Sequence, residues 1–313
     1  MKLVSFAILS SCLALGGCGD DAGMDGGQAV DASPNDGDGA GNLPDGGQPV
    51  TLYTELWYSV DDRLVRIVLD TADGSVVEFQ ETIVAGLALG QNALTMLDDG
   101  SLLGARLSDA DNLTYLYHVA SPPRDSAAVT PTLLGVMSDD LRLEGLYTDC
   151  DGRVYAMDTG SDNSNSDGNR LLRFTGNPVA SDFSYQVVSD LSAATVADID
   201  DMGPAIVNNE IIDNPGLAID SGTVYNFDYQ TGTGTESGAG GTWGIHALGK
   251  ELFVDQVARL FVLNRDGELF EMNPANSSLS GVLGTGPTDV QGFSGWSGLA
   301  GPLTECDSGF EID

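Results

Sequence analysis

The sequence predicts an all-β protein, and three observations favour a β-propeller within that class. After residue 51 the chain consists of short runs rich in Val, Leu, Tyr and Phe, separated by Asp-Gly or Asn-rich turns and without a sustained 3.6-residue period. One unit, Gly-Leu or Gly-Ile followed by strand, turn and strand, recurs along this region. Its last copy lacks the strands that should follow. Strands from the start of the chain could complete this last unit. Recurrent units closed by the two ends of the chain are typical of a propeller, and we expect five to seven blades.

The predicted strands follow in order from residue 54. Three antiparallel strands with tight turns at Asp61-Asp62 and Asp73-Gly74 occupy residues 56–80, and residues 260–272 form another hairpin. The final Gly298-Leu299 would join the strands at residues 54–69, which closes the ring at both termini. A β-sandwich pair or a β-helix is the competing fold, because both also have strands with frequent turns. The recurring unit occupies residues 86–107, 144–158, 215–228 and 244–264.

The first residues of the chain have the pattern of an export signal. Met1-Lys2 gives a basic start, residues 3–15 are mainly apolar, and Leu15-Gly16-Gly17-Cys18 follows. This motif resembles the lipobox of bacterial lipoproteins, which implies that the chain is cut before Cys18 and that Cys18 carries acyl chains such as palmitate. An uncleaved membrane anchor needs about 20 apolar residues, more than this run contains. An ordinary signal peptide cut near Gly17 would leave a thiol without an evident use.

The next segment, residues 19–50, consists mostly of Gly, Asp, Ala and Pro, with no aromatic and no basic residue. Such a segment cannot bury a core, and we expect a disordered tether with an r.m.s. span of roughly 30 Å. The chain is therefore predicted to have a signal peptide at 1–17, the lipidated Cys18 with its tether at 18–50, and a propeller domain at 51–313. We expect it in the bacterial cell envelope, anchored to the lipid bilayer of the outer rather than the inner membrane.

The charge of the chain excludes one class of partner. The chain has 12 basic and 47 acidic residues; one Lys and seven Asp precede residue 51, which leaves 11 basic and 40 acidic residues in the predicted domain. A net charge near −29 repels nucleic acid and anionic headgroups, and it attracts cations or basic partners. We therefore exclude nucleic acid as a partner. Acidity of this kind also keeps a protein soluble without any partner.

Two of the four cysteines remain for the folded domain. Cys12 leaves with the signal and Cys18 takes the lipid, so Cys150 and Cys306 are left in a compartment that permits disulfides. If they pair, the bond ties the C-terminal tail to the turn at residues 149–152 and closes a very long loop. Two unrelated buried thiols are the alternative.

One blade carries a motif known from other propellers. The sequence EGLYTDCDGRVYAMD at 144–158, followed by GNRLLRF at 168–174, resembles the blade motif of the NHL, SMP-30/gluconolactonase and phytase-like propellers, and residues 214–228 are similar to it. A blade motif implies the fold much more than an activity.

The densest group of oxygen ligands lies between two predicted strands of this blade. Alternate oxygen-bearing side chains followed by Gly168 copy the first half of an EF-hand loop, in which such side chains converge on Ca²⁺. The second half fails, because Phe174 stands where the bidentate Glu belongs. A solvated polar loop between two strands is the alternative. The candidate metal ligands are Asp158, Asp162, Asn163, Asn165 and Asp167.

Acidic side chains also precede the inner strand that we predict at Gly216. We interpret residues 198–214 as loops that line the mouth of the central channel, and GTGTESGAGG at 232–241 as a flexible insertion. The resemblance to gluconolactonases implies that carboxylates hold a Ca²⁺ that polarises a lactone or ester, with His246 as the base. The full ligand set of those families is not found in blade order, and a lone His more often has a structural role. The candidate catalytic residues are Glu144, Asp201, Asp213 and His246.

Two functions follow from these observations. The first is a non-enzymatic, tethered propeller that binds a protein, glycan or small ligand, with Ca²⁺ holding loops in place. The second is a Ca²⁺-dependent lactonase, esterase or phytase-like hydrolase that acts in the central funnel. No G-x-S-x-G, H-E-x-x-H or Walker motif points to a further class of enzyme. We favour the non-enzymatic function.

Overall fold

The computed structural model describes residues 53–86, 93–108, 111, 113–137, 141–159, 170–190, 199–220, 222–240, 243–288 and 298–307. Apart from a short 3₁₀ helix at Lys250–Leu252, the regular structure in these ranges is β-strand. None of the helical structure in these ranges is long and apolar enough to span a membrane. The strands are β1 (Tyr53–Val60), β2 (Arg63–Asp70), β3 (Val76–Ile83), β4 (Ala93–Met96), β5 (Leu102–Leu107), β6 (Thr114–Val119), β7 (Thr132–Val136), β8 (Leu143–Thr148), β9 (Val154–Asp158), β10 (Arg170–Phe174), β11 (Tyr185–Asp190), β12 (Asp201–Val207), β13 (Glu210–Asp220), β14 (Thr223–Asp228), β15 (Thr233–Ala239), β16 (Gly244–Leu248), β17 (Arg259–Leu263), β18 (Glu268–Met272), β19 (Gly284–Thr285) and β20 (Cys306–Asp307).

These strands form five sheets that follow one another along the chain. The sheets are β1-β2-β3, β4 to β7, β8 to β11, β12 to β15, and β16 to β19, with antiparallel pairing between successive strands. The first strands of neighbouring sheets, β4 with β8, β8 with β12 and β12 with β16, lie against each other. This arrangement is a five-bladed β-propeller, at the lower limit of the predicted blade number.

The ring is closed by a segment from the C-terminal part of the chain. Residues 298–301, the closing segment, run along the free edge of β1, where the Trp57 N–H donates to the Ala300 carbonyl at 2.7 Å and the Ala300 N–H donates back at 2.8 Å. The closing segment therefore takes the position of an inner strand in the first blade. The predicted joining of the two termini is confirmed.

The core lies between blades rather than within them. Each of five hydrophobic clusters combines side chains from two adjacent blades, as when Leu56 of β1 and Phe261 of β17 join blades one and five. A four-stranded sheet by itself leaves both apolar faces in water. Stacking five sheets in a ring covers every such face, and this explains why the strands contain nearly continuous apolar runs.

The fourth blade corrects two predictions. Gly216 lies in β13, the second strand of the blade, and the first strand is β12, within the region that we had interpreted as loop. Asp201 and Asp213, two of the acidic residues that suggested a loop, fit inside these strands, where their carboxyl groups accept hydrogen bonds from backbone and tyrosine donors. Residues 233–239, predicted as part of a flexible insertion, form the outer strand β15. An outer strand faces solvent, so it needs no apolar pattern.

Candidate functional site

Asp201 joins three strands around the axis of the propeller. Its carboxyl oxygen Oδ2 accepts hydrogen bonds from the N–H of Ile245 in β16 at 2.8 Å and of Leu299 in the closing segment at 2.9 Å. The side chain is fully buried, and burial raises its pKa well above the usual range. A Cβ atom at Gly298 would lie 2.0 Å from its Cγ atom. The carboxyl group therefore occupies the space that the glycine leaves open.

Asp213 makes a second buried link, between blades three and four. It accepts a hydrogen bond from the Tyr147 hydroxyl of β8 through Oδ1, and one from the Cys150 N–H through Oδ2 at 2.6 Å. Burial is the main reason that its pKa rises to about 7. The side chain thus fastens the turn after β8 to the hairpin of the fourth blade.

A group of tyrosines surrounds this link. The Tyr147 ring stacks on the Tyr229 ring with 5.0 Å between centroids, and Tyr155 lies 5.2 Å from Tyr229. The Tyr229 hydroxyl lies 2.7 Å from the Leu217 carbonyl oxygen. A Cβ atom at Gly216 would come within 2.6 Å of the Tyr229 ring. It would also come within 2.6 Å of the Gly203 carbonyl oxygen and 2.7 Å of the Asp213 carbonyl oxygen, so only glycine fits at position 216.

His246 lies in β16 and faces the C-terminal tail. The residue is 7% exposed, and its imidazole donates a hydrogen bond to the Pro302 carbonyl. Burial lowers its pKa to about 4, so the ring is neutral at pH 7. Among the described residues, no polar atom lies within hydrogen-bond reach of its Nε2 atom.

Tyr147, Asp213 and His246 line one small cavity of about 10 Å³, together with Cys150 and residues 302–304 of the tail. This space holds about one water molecule. Asp213 and His246 were predicted to belong to one site, but Tyr147 was not among the candidates. The tail that covers them was not predicted either, since no motif marks Pro302. In its present form the cavity can order a water beside His246, and it has no room for a substrate.

The remaining candidates lie elsewhere. Asp201 bonds to β16 and the closing segment, and Glu144 is half-buried in β8. In the parts of the chain that the structure describes, no three His, Cys, Asp or Glu side chains are placed to hold one metal ion.

One of the five candidate calcium ligands lies within the described residues. Asp158 is fully buried, and its two oxygens accept hydrogen bonds from the Arg142 N–H and from Nε of Arg170, each at 2.7 Å. These bonds join β9 to β10 and to the start of β8. Asp162, Asn163, Asn165 and Asp167 lie outside the described residues, and so does the lipobox with Cys18.

Cys150 is disulfide-bonded. The backbone of Cys306 pairs in parallel with Ile211, and Ile211 lines the same cavity as Cys150. The tail therefore passes the turn that carries Cys150.

Replacing Asp213 by Asn is expected to change how stability depends on pH. The pKa of this carboxyl is about 4 in the unfolded chain and about 7 in the fold. The stabilisation from its protonated form is complete below pH 4 and is lost as the pH rises to 7, by up to about 4 kcal/mol. Asn imitates the protonated group, so the variant should be the more stable protein at pH 8 and equal to the wild type at pH 4. Urea unfolding across this range measures the difference.

His246 changes the stability with pH in the opposite direction, but this contribution cancels when the wild type is compared with the Asp213→Asn variant. Its lowered pKa gives stability that is present above pH 6.5 and is lost as the pH falls to about 4. Both proteins contain this residue. If the free energies of unfolding of the wild type and the Asn variant change in parallel with pH, Asp213 does not hold a proton in the fold at neutral pH.

Comparisons with known proteins assign no family. No protein-family model matches the chain, and no curated protein matches its sequence. A structure from a nidogen/laminin complex has a TM-score of 0.47 and 10% identity, covering 81% of this chain and 100% of the other. The WD40 β-propeller domain of Doa1 has a TM-score of 0.38 and 15% identity over 75% and 79%, and a protein of unknown function from Bacteroides caccae has 0.36 and 10% over 78% and 75%. The chain's own strand order establishes the five-bladed β-propeller, and these scores add nothing about activity.

Proposed function

We propose that this chain is a lipid-anchored protein of the bacterial cell envelope, in the outer rather than the inner membrane. Its propeller would act as a binding scaffold for a protein, glycan or small ligand. The observation that supports a scaffold is that the polar groups near the axis hold neighbouring parts of the fold together. Asp201, Asp213 and His246 each bond to a neighbouring strand, turn or tail, so the groups that a hydrolase would use are engaged in the fold.

The disulfide supports the proposed location. Disulfides form and persist in oxidising compartments such as the periplasm and the cell surface, and they are rare in the cytosol. A bonded Cys150 is what an exported protein is expected to contain. We infer that its partner is Cys306, because the tail brings this residue beside Ile211 and the signal removes or modifies the other two cysteines.

The calcium-dependent hydrolase is the second candidate and stays a prediction. No described residue favours it over the scaffold. Calcium in the loop after Asp158 likewise stays a prediction.

Replacing Cys18 by Ser is expected to release the protein from membranes, because the acyl chains have no other site of attachment. Fractionation on a density gradient separates outer-membrane, inner-membrane and soluble protein, and intact mass measures the acyl chains. The matched control is Cys12→Ser, which changes a cysteine of the predicted signal and should leave both readouts unchanged. A wild-type protein that is soluble and carries no acyl chain on Cys18 would overturn the proposed anchoring.

A further inference from the structure

An apolar surface lies where the chain enters the propeller at Tyr53. It is formed by Tyr53, Val254 and Val257, and we call it the valine surface. These side chains are exposed by 48%, 61% and 41%. Tyr53 belongs to the first blade, and the two valines lie in the loop between β16 and β17 of the fifth blade.

The valine surface is preformed, because hydrogen bonds fix the loop on both sides. The Val254 N–H donates to the Thr71 carbonyl at 2.8 Å, which attaches the loop to blade one. On the other side, the Asn209 side chain accepts from the Ala258 N–H at 2.8 Å and donates to the Gln256 carbonyl at 2.9 Å. A partner that binds this surface would therefore have little loop ordering to do.

Two concavities flank the loop. One, of about 500 Å³, lies between the loop and blade one and is lined by Tyr53, Thr71 and Val254 among others. The second, of about 450 Å³, lies toward blade four and is lined by Asn209 and Val257 among others. Each is large enough to take an apolar side chain of a partner.

Carboxylates surround these concavities. Exposed Glu210, Glu251, Asp255 and Asp73 lie on the loop, the adjacent hairpin and the turn after β2. The nearby cations are Lys250 and Arg259, which pair with Glu210 and Asp255 respectively. The surface is thus apolar at its centre and acidic at its edge.

Resting on the proposed scaffold function, we propose that the valine surface binds a basic segment of a partner protein, with apolar side chains in the two concavities and Lys or Arg beside the carboxylates. Charge complementarity selects this occupant, because the negative field of the domain attracts cationic segments and repels anionic lipid headgroups. Apolar contact at the centre and ion pairs at the edge are the usual division of an interface.

The test uses a short synthetic peptide of Leu and Lys and the full-length chain carrying Cys18→Ser, purified without detergent. We expect saturable binding that weakens as salt increases. Val254→Ser together with Val257→Ser should weaken binding by about tenfold or more, because the peptide loses apolar contact with both side chains. The variant should still fold, because both valines are exposed. The matched control is Val77→Ser with Leu133→Ser, two exposed apolar residues of outer strands, which should bind as the wild type does.

Three results would overturn the proposal. Equal binding of a peptide of Ser and Lys would mean that charge alone attracts the probe. Unchanged affinity of the valine variant would place the peptide elsewhere. Sedimentation of the chain with phosphatidylcholine vesicles, lost in the valine variant and without peptide binding, would make the surface a membrane contact. No acyl chain takes part in this experiment, so its failure leaves the test of anchoring at Cys18 unaffected.

Discussion

Replacing Cys150 by Ser is expected to lower the free energy of unfolding by about 5 kcal/mol. With Cys306 as its partner, the bond closes a loop that extends over half of the chain. In the chain-entropy model, a loop of this length restricts the unfolded chain by about 5 kcal/mol. With this partner, the bond would also hold the tail over His246 and Asp213, which line one cavity with residues 302–304. Denaturant unfolding of the wild type and the variant, without reductant, measures the loss.

The partner is identified by the companion variants. Cys306→Ser and the double variant should each lose as much stability as Cys150→Ser, since all three lack the same bond. A reductant should destabilise the wild type and leave the double variant unchanged. If Cys306→Ser unfolds at the same denaturant concentration as the wild type, the proposed pairing is wrong.

Asp201→Ala is expected to destabilise the protein by about 4 kcal/mol. The substitution leaves the buried N–H groups of Ile245 and Leu299 without an acceptor, and each such loss costs about 1–3 kcal/mol. One of these groups belongs to the closing segment, so the ring should open at its closure first. Hydrogen exchange at Trp57 and Ala300, whose backbones pair there, is expected to quicken more than exchange in blades two and three.

The matched substitution for this residue is Asp201→Asn. Its amide oxygen can accept the same two bonds, and it resembles the protonated carboxyl that the raised pKa favours. We expect a loss within about 1 kcal/mol. An Asn variant as unstable as the Ala variant would show that something other than the acceptor oxygen holds these strands.

The strands and their turns could be predicted because they depend on local patterns. Asp61 and Gly74 both adopt positive φ angles, 53° and 75°, in the turns that follow β1 and β2. The closure of the ring was also predictable, since the last unit lacked strands that the start of the chain could supply. Both inferences used only the order of apolar runs and turn residues.

The fourth blade was mispredicted for a physical reason. Acidic and amide residues between apolar runs are usually exposed, so residues 198–214 had the composition of a loop. In the fold, Asp201 and Asp213 are buried, and each accepts hydrogen bonds from donors of other blades. Burial of a carboxyl group without such partners would cost several kcal/mol. A local pattern does not contain the position of a distant donor.

The order of apolar runs, glycines and turns along the chain was thus sufficient for the all-β propeller and for the joining of its ends. The linear pattern also placed Asp213 and His246 in one site, although it missed Tyr147 and included Glu144 and Asp201, which do not line the cavity. The roles of these groups depended on contacts between distant residues, such as the bond from the Leu299 N–H to Asp201 across 98 positions. Such contacts exist only after the blades have closed into a ring, because the closure sets which carboxyl groups lose water and which donors replace it.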